Sequence, residues 1–130
     1  MNKKKILLAD DEPEVLDMLK IRLQPLGFDL LCAANGQEAL DIAKKELPDI
    51  AVLDIMMPKM DGYDVCRNMK ADKKTSHIPV IFLTVLGDPE EKEAGLEAGA
   101  EAFIQKPYEP SVFIEEIKKL LQKHSSEGKS

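Results

Sequence analysis

Polar side chains follow four short apolar runs of this sequence, at the points where predicted strands end. The runs cover residues 6–9, 50–53, 80–83 and 102–105, and the polar residues that follow them are Asp10 and Asp11, Asp54, Thr84 and Lys106. If these runs are neighbouring parallel strands, three carboxylates, a hydroxyl and an ammonium gather at one edge of a sheet. That set of groups suits a divalent cation and a phosphoryl group.

The chemistry of such a pocket follows from its charges. Three carboxylates packed together repel one another, which raises the pKa of at least one of them unless a cation intervenes. Mg²⁺ takes oxygen ligands and would relieve that repulsion, while Lys106 supplies a second positive charge. Both charges could hold the oxygens of a phosphoryl group while Asp54 attacks it in line. The product would be an aspartyl phosphate, to which the Thr84 hydroxyl could donate a hydrogen bond.

Each of these residues also has a purely structural alternative. Asp10 or Asp11 could cap a helix that begins near Pro13, Lys106 could be a surface lysine, and Thr84 is an ordinary strand residue. Asp54 is harder to explain, because a carboxylate after four buried apolar residues loses water unless something compensates. The structural alternative requires four coincidences at one edge of the sheet, so we favour a functional site.

Strands and helices alternate five times along the chain. The first helix is predicted to begin near Pro13 and to end at Gly27, before a second strand over residues 28–33. The remaining helices are predicted over residues 37–46, 62–70 and 89–97 and from Pro110 onward. Helices between successive strands make right-handed crossovers, which give a parallel sheet covered on both faces. Such sheets bind ligands beyond the carboxyl ends of their strands, where the strand order reverses.

Composition narrows the class of protein. A chain of 130 residues with 44% hydrophobic and 32% charged residues is typical of one globular domain. The formal net charge of −6 argues against direct binding of nucleic acid. No apolar run reaches the ~20 residues of a membrane helix, and the run after Lys5 is too short for a signal peptide, so we expect a cytoplasmic protein. Cys32 and Cys66 fit no metal site or disulfide framework.

The motifs of the chain resemble the receiver domain of bacterial two-component response regulators. They are Leu7-Leu8-Ala9-Asp10-Asp11-Glu12-Pro13, the segment Asp54-Ile55-Met56-Met57-Pro58-Lys59-Met60-Asp61-Gly62, Leu83-Thr84, and Gly99-Ala100 through Lys106-Pro107. The likeness covers residues 4 to 123. It implies a flavodoxin-like, doubly wound α/β fold, with five parallel strands in the order 2-1-3-4-5 and five helices on both faces. We expect the domain to span residues 1–124, with residues 125–130 as a polar tail or linker.

The resemblance also implies the roles of single residues. Asp54 would be the phosphoacceptor, Lys106 would bind the phosphoryl group, and Thr84 and Phe103 would form the switch pair. The implied ligands of Mg²⁺ are Asp10, Asp11, Asp54 and the backbone carbonyl of Met56. Because Phe103 has no hydroxyl, we expect its ring to turn inward even without phosphate. Met56 and Leu86 are apolar where quickly dephosphorylating members carry polar groups, so we predict a long-lived aspartyl phosphate. Val85 stands where the family usually has a small residue, so we expect narrower access for the phosphoryl group and slower transfer.

As a receiver domain the chain would be a signalling switch and not an enzyme with an external substrate. The phosphoryl group would come from a phosphohistidine on a sensor histidine kinase or a histidine phosphotransfer protein. Phosphorylation would change the surface of the fourth helix, fifth strand and fifth helix, which regulates a partner or a fused output domain. The domain would be a monomer or a phosphorylation-dependent dimer. Whether the chain acts alone or belongs to a longer regulator stays open, as do its kinase and output partner.

Two other functions compete with this interpretation. A metal-dependent phosphatase also works through an aspartyl phosphate, but it usually carries two acids as Asp-x-Asp on one strand. Here Asp10 and Asp11 are adjacent, and no acid lies two residues from Asp54. A dinucleotide-binding domain uses a similar sheet, but its glycine fingerprint is missing after the first strand.

Overall fold

The structure is a computed structural model that describes the backbone of residues 3–127 and the side chains of residues 3–123. Its strands are β1 (Lys5–Ala9), β2 (Asp29–Ala33), β3 (Ile50–Leu53), β4 (Val80–Thr84) and β5 (Ala102–Gln105). Its helices are α1 (Pro13–Leu23), α2 (Gly36–Glu46), α3 (Gly62–Ala71), α4 (Pro89–Glu97) and α5 (Pro110–Glu127). The predicted alternation of strands and helices is confirmed.

The five strands form one parallel sheet in the order β2-β1-β3-β4-β5. This is the predicted order. After β1 the chain adds β2 on one side of β1 and then adds β3, β4 and β5 on the other side. The strand order therefore reverses between β1 and β3, which are paired with each other. A crevice therefore opens beyond the carboxyl ends of these two strands, where ligands bind in folds of this kind.

The sheet is buried on both faces, and successive residues of each strand face opposite sides. One cluster, which includes Leu7, Leu53 and Phe82, packs against α2 and α3. The other, which includes Leu8 and Ile81, packs against α1 and α5. Burial on both sides explains why the strand sequences are continuously apolar and do not alternate with polar residues.

Several element boundaries differ from the predicted ones by a residue or a turn. Helix α1 ends at Leu23, and a short 3-10 turn follows because Pro25 has no amide hydrogen with which to continue the α-helix. Gly27, with a φ of 90°, ends that turn. Helix α2 begins at Gly36, one residue early, because the Asn35 side chain caps it. Strand β2 begins one residue later than predicted, and α3 ends one residue later.

Helix α4 is mostly polar and makes little apolar contact with the sheet. Its amino end is a capping box, in which Asp88 and Glu91 each accept a hydrogen bond from the other's backbone amide. Gly95 is its one buried residue and lies over the rings of Phe82 and Phe103. A Cβ atom at Gly95 would come within 3.0 Å of the Phe82 ring and 3.2 Å of the Phe103 ring. The missing side chain therefore lets α4 approach the sheet.

Helix α5 continues past residue 124, the predicted end of the domain. Its backbone is helical to Glu127, so three residues of the predicted tail belong to the helix, and residues 128–130 lie outside the described part of the chain. The division of the chain at residue 124 stays a prediction. Within residues 3–127, no helix has both the length and the apolar character that crossing a bilayer requires.

Candidate functional site

Three of the predicted site residues, Asp10, Asp54 and Lys106, directly follow β1, β3 and β5. Each of them donates its backbone amide to a carbonyl of the adjacent strand. The three N···O distances are 3.1 Å from Asp10 to Ala33, 2.9 Å from Asp54 to Ala9 and 2.7 Å from Lys106 to Thr84. The hydrogen bonding of the sheet thus extends one residue beyond these strands, and it fixes the backbone from which the three side chains project.

The Lys106 ammonium lies between two buried carboxylates. Its Nζ is 2.9 Å from Asp10 Oδ2 and 3.9 Å from Asp54 Oδ2. Asp10 is 3% exposed and Asp54 is 8% exposed, so water screens these charges poorly. One cation therefore faces two acids at the carboxyl edge of the sheet, and the site carries a net negative charge.

Burial raises the pKa of the Asp54 carboxyl above its ordinary value. The Lys106 ammonium acts against this shift, and the Asp10 carboxylate adds to it. Like Lys106, the Thr84 hydroxyl and the Ile55 amide favour the ionised form of Asp54. The Ile55 amide donates a hydrogen bond to Asp54 Oδ1 at 2.7 Å. A further positive charge near Asp54 would therefore stabilise its ionised form and lower its pKa.

Thr84 and Phe103 lie at different places in the site. Thr84 is fully buried at the end of β4, and its hydroxyl accepts a hydrogen bond from the Leu86 amide at 3.3 Å. Phe103 is half-buried on β5 and packs edge-on against Phe82, with ring centroids 6.2 Å apart. Its ring therefore lies in the core beneath α4, beside Phe82 and Gly95. That the ring spends much of its time turned inward without phosphate stays a prediction.

Three consecutive acidic residues bring oxygen atoms together beside β1. The carboxylate oxygens of Asp10, Asp11 and Glu12 lie within 4.8 Å of one another, and the last two side chains are exposed. Glu12 is not among the metal ligands predicted from the sequence, although its position directly after two acidic residues could have indicated it. Carboxylate oxygens are the ligands that Mg²⁺ prefers, so the chemistry of this donor set fits that ion.

An open cleft of about 480 Å³ lies beside the acidic residues. Its lining combines Asp11 with the segment that follows Asp54, namely Ile55, Met56, Met57, Pro58 and Asp61. The side chain of Met56 is 62% exposed there, and that of Val85, after β4, is 66% exposed. Both apolar side chains are therefore at the surface, Met56 two residues after Asp54 and Val85 directly after Thr84.

The loop between β3 and α3 is folded tightly over the backbone of Asp54. The Gly62 amide donates to the Ile55 carbonyl at 2.8 Å, and a Cβ atom at Gly62 would collide with the Asp54 carbonyl oxygen. Lys59 has a φ of 71°, a left-handed conformation that is uncommon for a residue with a side chain. Glycine is thus required where α3 begins, since only it leaves room for the strand end.

The response regulator receiver domain family matches residues 6–118 of the chain. The chain belongs to this family. The receiver domain is 45% identical over 123 residues to a probable transcriptional regulator, ycf27, of Cyanophora paradoxa, and this match covers 95% of the chain and 50% of the relative. It is 38% identical over 120 residues to the alkaline phosphatase synthesis transcriptional regulatory protein PhoP of Bacillus subtilis, covering 92% and 49%. The chain spans about half the length of these curated relatives.

Solved structures of receiver domains have the same fold. A CheY-like response regulator receiver domain protein of Methanospirillum hungatei superposes with a TM-score of 0.89 at 32% identity, over 97% of this chain and 99% of that one. A putative response regulator of Chloroflexus aurantiacus superposes with a TM-score of 0.88 at 36% identity, over 93% and 99%. The family and fold predicted from the motifs are confirmed, and the chain is a receiver domain of two-component signalling.

Proposed function

We propose that this receiver domain is a switch controlled by phosphorylation of Asp54. In the reaction, an Asp54 carboxylate oxygen attacks the phosphorus of a phosphohistidine on a sensor kinase or phosphotransfer protein. The new P–O bond forms as the P–N bond breaks, and the electron pair of that bond stays on the imidazole. The domain catalyses its own modification and turns over no external substrate.

The observation that carries this proposal is the position of Lys106 between Asp10 and Asp54. An ammonium 3.9 Å from the proposed nucleophile could pair with an oxygen of the incoming phosphoryl group. The buried Thr84 hydroxyl, at the end of the next strand, could then donate to the phosphorylated side chain. Burial keeps water away from the carboxylate, which strengthens both interactions.

Asp10, Asp11 and Asp54, with the Met56 carbonyl, would hold Mg²⁺. The bound ion would offset the negative charge of these carboxylates and of the transferred group. Glu12 is a further candidate, because its carboxylate lies with those of Asp10 and Asp11. Removing Mg²⁺ with a chelator should therefore stop phosphorylation while the domain stays folded.

The test is the intact mass of the domain after incubation with acetyl phosphate and Mg²⁺. The wild type should gain one phosphoryl group, and Asp54→Asn should gain none. Asp41→Asn is the matched control, because Asp41 is exposed on α2 and its carboxylate accepts a hydrogen bond from the neighbouring Gln37 of the same helix. Full modification of Asp54→Asn would refute the assignment of the phosphoacceptor. Repeated turnover of a small phosphate ester would instead indicate the metal-dependent phosphatase.

Phosphorylation is proposed to act on the surface formed by α4, β5 and α5. Phe103 and Gly95 connect this surface to the core beneath α4. Relatives of about twice the length carry the names of transcriptional regulators, which supports an output domain that binds DNA in a longer protein. The receiver itself carries a formal charge of −6, so direct contact with DNA would belong to the output domain.

A further inference from the structure

Helix α4 has few apolar contacts with which to hold its position. Gly95 is its one buried residue, while Leu96, its largest apolar side chain, is 61% exposed. Three of its glutamates, Glu90, Glu93 and Glu97, are exposed. Because little apolar area is buried, the burial of side chains contributes little to keeping this helix in place.

Two side chains of α3 bind backbone carbonyls at the two ends of α4. The Tyr63 hydroxyl donates to the Glu91 carbonyl at 3.1 Å, and the Cys66 thiol donates to the Ala98 carbonyl at 3.3 Å. Tyr63 and Cys66 are three residues apart, so they lie on the same face of α3. Burial and the nearby acids raise the pKa of Tyr63, which keeps its hydroxyl protonated and able to donate.

Lys70 extends the same face of α3 by one more turn. Its aliphatic chain lies against Gly99, just beyond α4, and its ammonium is 3.0 Å from Glu101 Oε2. Glu101 in turn accepts a hydrogen bond from the Val80 amide at 2.8 Å. The carboxyl end of α4 is therefore held at several points, whereas a single side-chain bond, from Tyr63, holds the first turn of α4 to α3 among the described residues.

Tyr63 is also connected to Asp54 by a short series of hydrogen bonds. The Ile55 amide donates to Asp54 Oδ1, and the Ile55 carbonyl accepts from Gly62, the residue before Tyr63. The ring of Tyr63 packs edge-on against Phe82, with centroids 5.5 Å apart, and Phe82 packs in the same way against Phe103. A change at Asp54 could thus reach α4 through α3 as well as through β4 and β5.

We propose that Tyr63 is a positioning residue that holds the first turn of α4 to α3 and couples it to the Asp54 loop. The positioning part rests on the contacts alone. The coupling part rests on the proposed phosphorylation of Asp54. Coupling of this kind requires direct measurement, because a chain of contacts does not establish it.

The experiment is amide hydrogen exchange of the whole chain, comparing the wild type with Tyr63→Phe. Phenylalanine keeps the ring and its contact with Phe82 but cannot donate to Glu91. We expect exchange in α4 to become about three- to tenfold faster, as loss of one hydrogen bond predicts, with β1 and β3 unchanged. Tyr108→Phe is the control, because Tyr108 is a half-buried tyrosine on the opposite face of the sheet.

Three results would overturn the positioning role. They are unchanged exchange in α4, acceleration spread equally over β1 and β3, and acceleration of α4 to the same extent in Tyr108→Phe. For the coupling, exchange is repeated with acetyl phosphate and Mg²⁺, and the response of α4 should be smaller in Tyr63→Phe than in the wild type. An equal response would overturn the coupling. Failure of both proteins to gain a phosphoryl group would refute the proposed function, while the unmodified comparison would still decide the role of Tyr63.

Discussion

At the scale of single residues, the ionisation of the site depends on how much positive charge lies near its buried carboxylates. Asp10 and Asp54 share one ammonium, that of Lys106, which lies closer to Asp10. The pKa of Asp54 is raised because burial outweighs this attraction. A cation, bound alone or together with a phosphoryl group, would therefore change the ionisation of Asp54 more than it would change that of an exposed acid.

The lifetime of the proposed aspartyl phosphate should depend on Met56. This side chain is 62% exposed two residues after Asp54, and it has no polar group with which to orient an attacking water. We expect slow loss of the phosphoryl group in the wild type and several-fold faster loss in Met56→Asn, followed by intact mass after removal of acetyl phosphate. Met18→Asn, an exposed change on α1, should leave the rate unaltered. Rapid loss in the wild type that Met56→Asn does not change would contradict the prediction.

The stability of the domain should fall at alkaline pH because of Cys66. Burial raises the pKa of its thiol from 9.0 to about 11. Between these values the unfolded chain loses the thiol proton while the folded chain keeps it, so the free energy of unfolding decreases as the pH rises. The full decrease is of the order of 2 to 3 kcal/mol.

Cys66→Ala should remove this dependence on pH. The difference in stability between the wild type and Cys66→Ala, measured by urea unfolding, should therefore narrow from pH 8 to pH 10.5. Cys32→Ala should show a weaker change, because the Cys32 thiol is only half-buried and its pKa is raised less. A constant difference for Cys66→Ala over this range would show that the thiol does not titrate as expected.

At the scale of elements, the approach of α4 to the sheet depends on one small residue, Gly95. Adding a methyl group at Gly95 would favour the helix by about 1 kcal/mol, but crowding in a packed core costs about 1–3 kcal/mol. We expect Gly95→Ala to lower the free energy of unfolding by roughly 1 kcal/mol and to push the Phe103 ring outward. Urea unfolding and the NMR signals of the ring would measure the two effects.

Glu97→Ala gives the matched comparison for Gly95→Ala. It changes an exposed residue of the same helix, so stability should stay within about 0.5 kcal/mol of the wild type. A Gly95→Ala variant that is more stable than the wild type and leaves the Phe103 ring in place would contradict the prediction. It would show that a methyl group fits between α4 and the rings of Phe82 and Phe103 without crowding them.

The polar residues at the strand ends lie together in the structure, as predicted, because parallel pairing aligns the carboxyl ends of all strands. Asp10, Asp54 and Lys106 could therefore be placed at one edge from the positions of apolar runs alone. The bond from Tyr63 to Glu91 could not, because it joins two helices whose distance no local pattern sets. The close approach of Gly36 to the Met60 backbone is similar, since Asn35-Gly36 is typical of any turn or helix start. Local patterns predict which elements form, whereas contacts between loops require the assembled fold.

At the scale of the whole molecule, the contacts of α5 with the sheet bear on where the domain ends. Phe113, Ile117 and Leu120 pack against the sheet. A chain that ends at residue 124 should therefore unfold within about 0.5 kcal/mol of the full chain in urea. A chain that ends at residue 116 loses Ile117 and Leu120 and should lose several kcal/mol or fail to fold, at about 2–5 kcal/mol for each large side chain. A large loss at residue 124 would show that the domain extends further.

The amides of Asp10, Asp54 and Lys106 continue the hydrogen bonding of the sheet, and these bonds do not depend on the side chains. Loss of the Asp54 carboxylate would remove the proposed chemistry and one buried negative charge but none of these backbone bonds, so a gene copy with this change could still encode a folded domain. Such a copy could persist in a genome as a binding module that lacks the proposed phosphorylation. In this fold, inheritance of the architecture and inheritance of the proposed reaction are separable events.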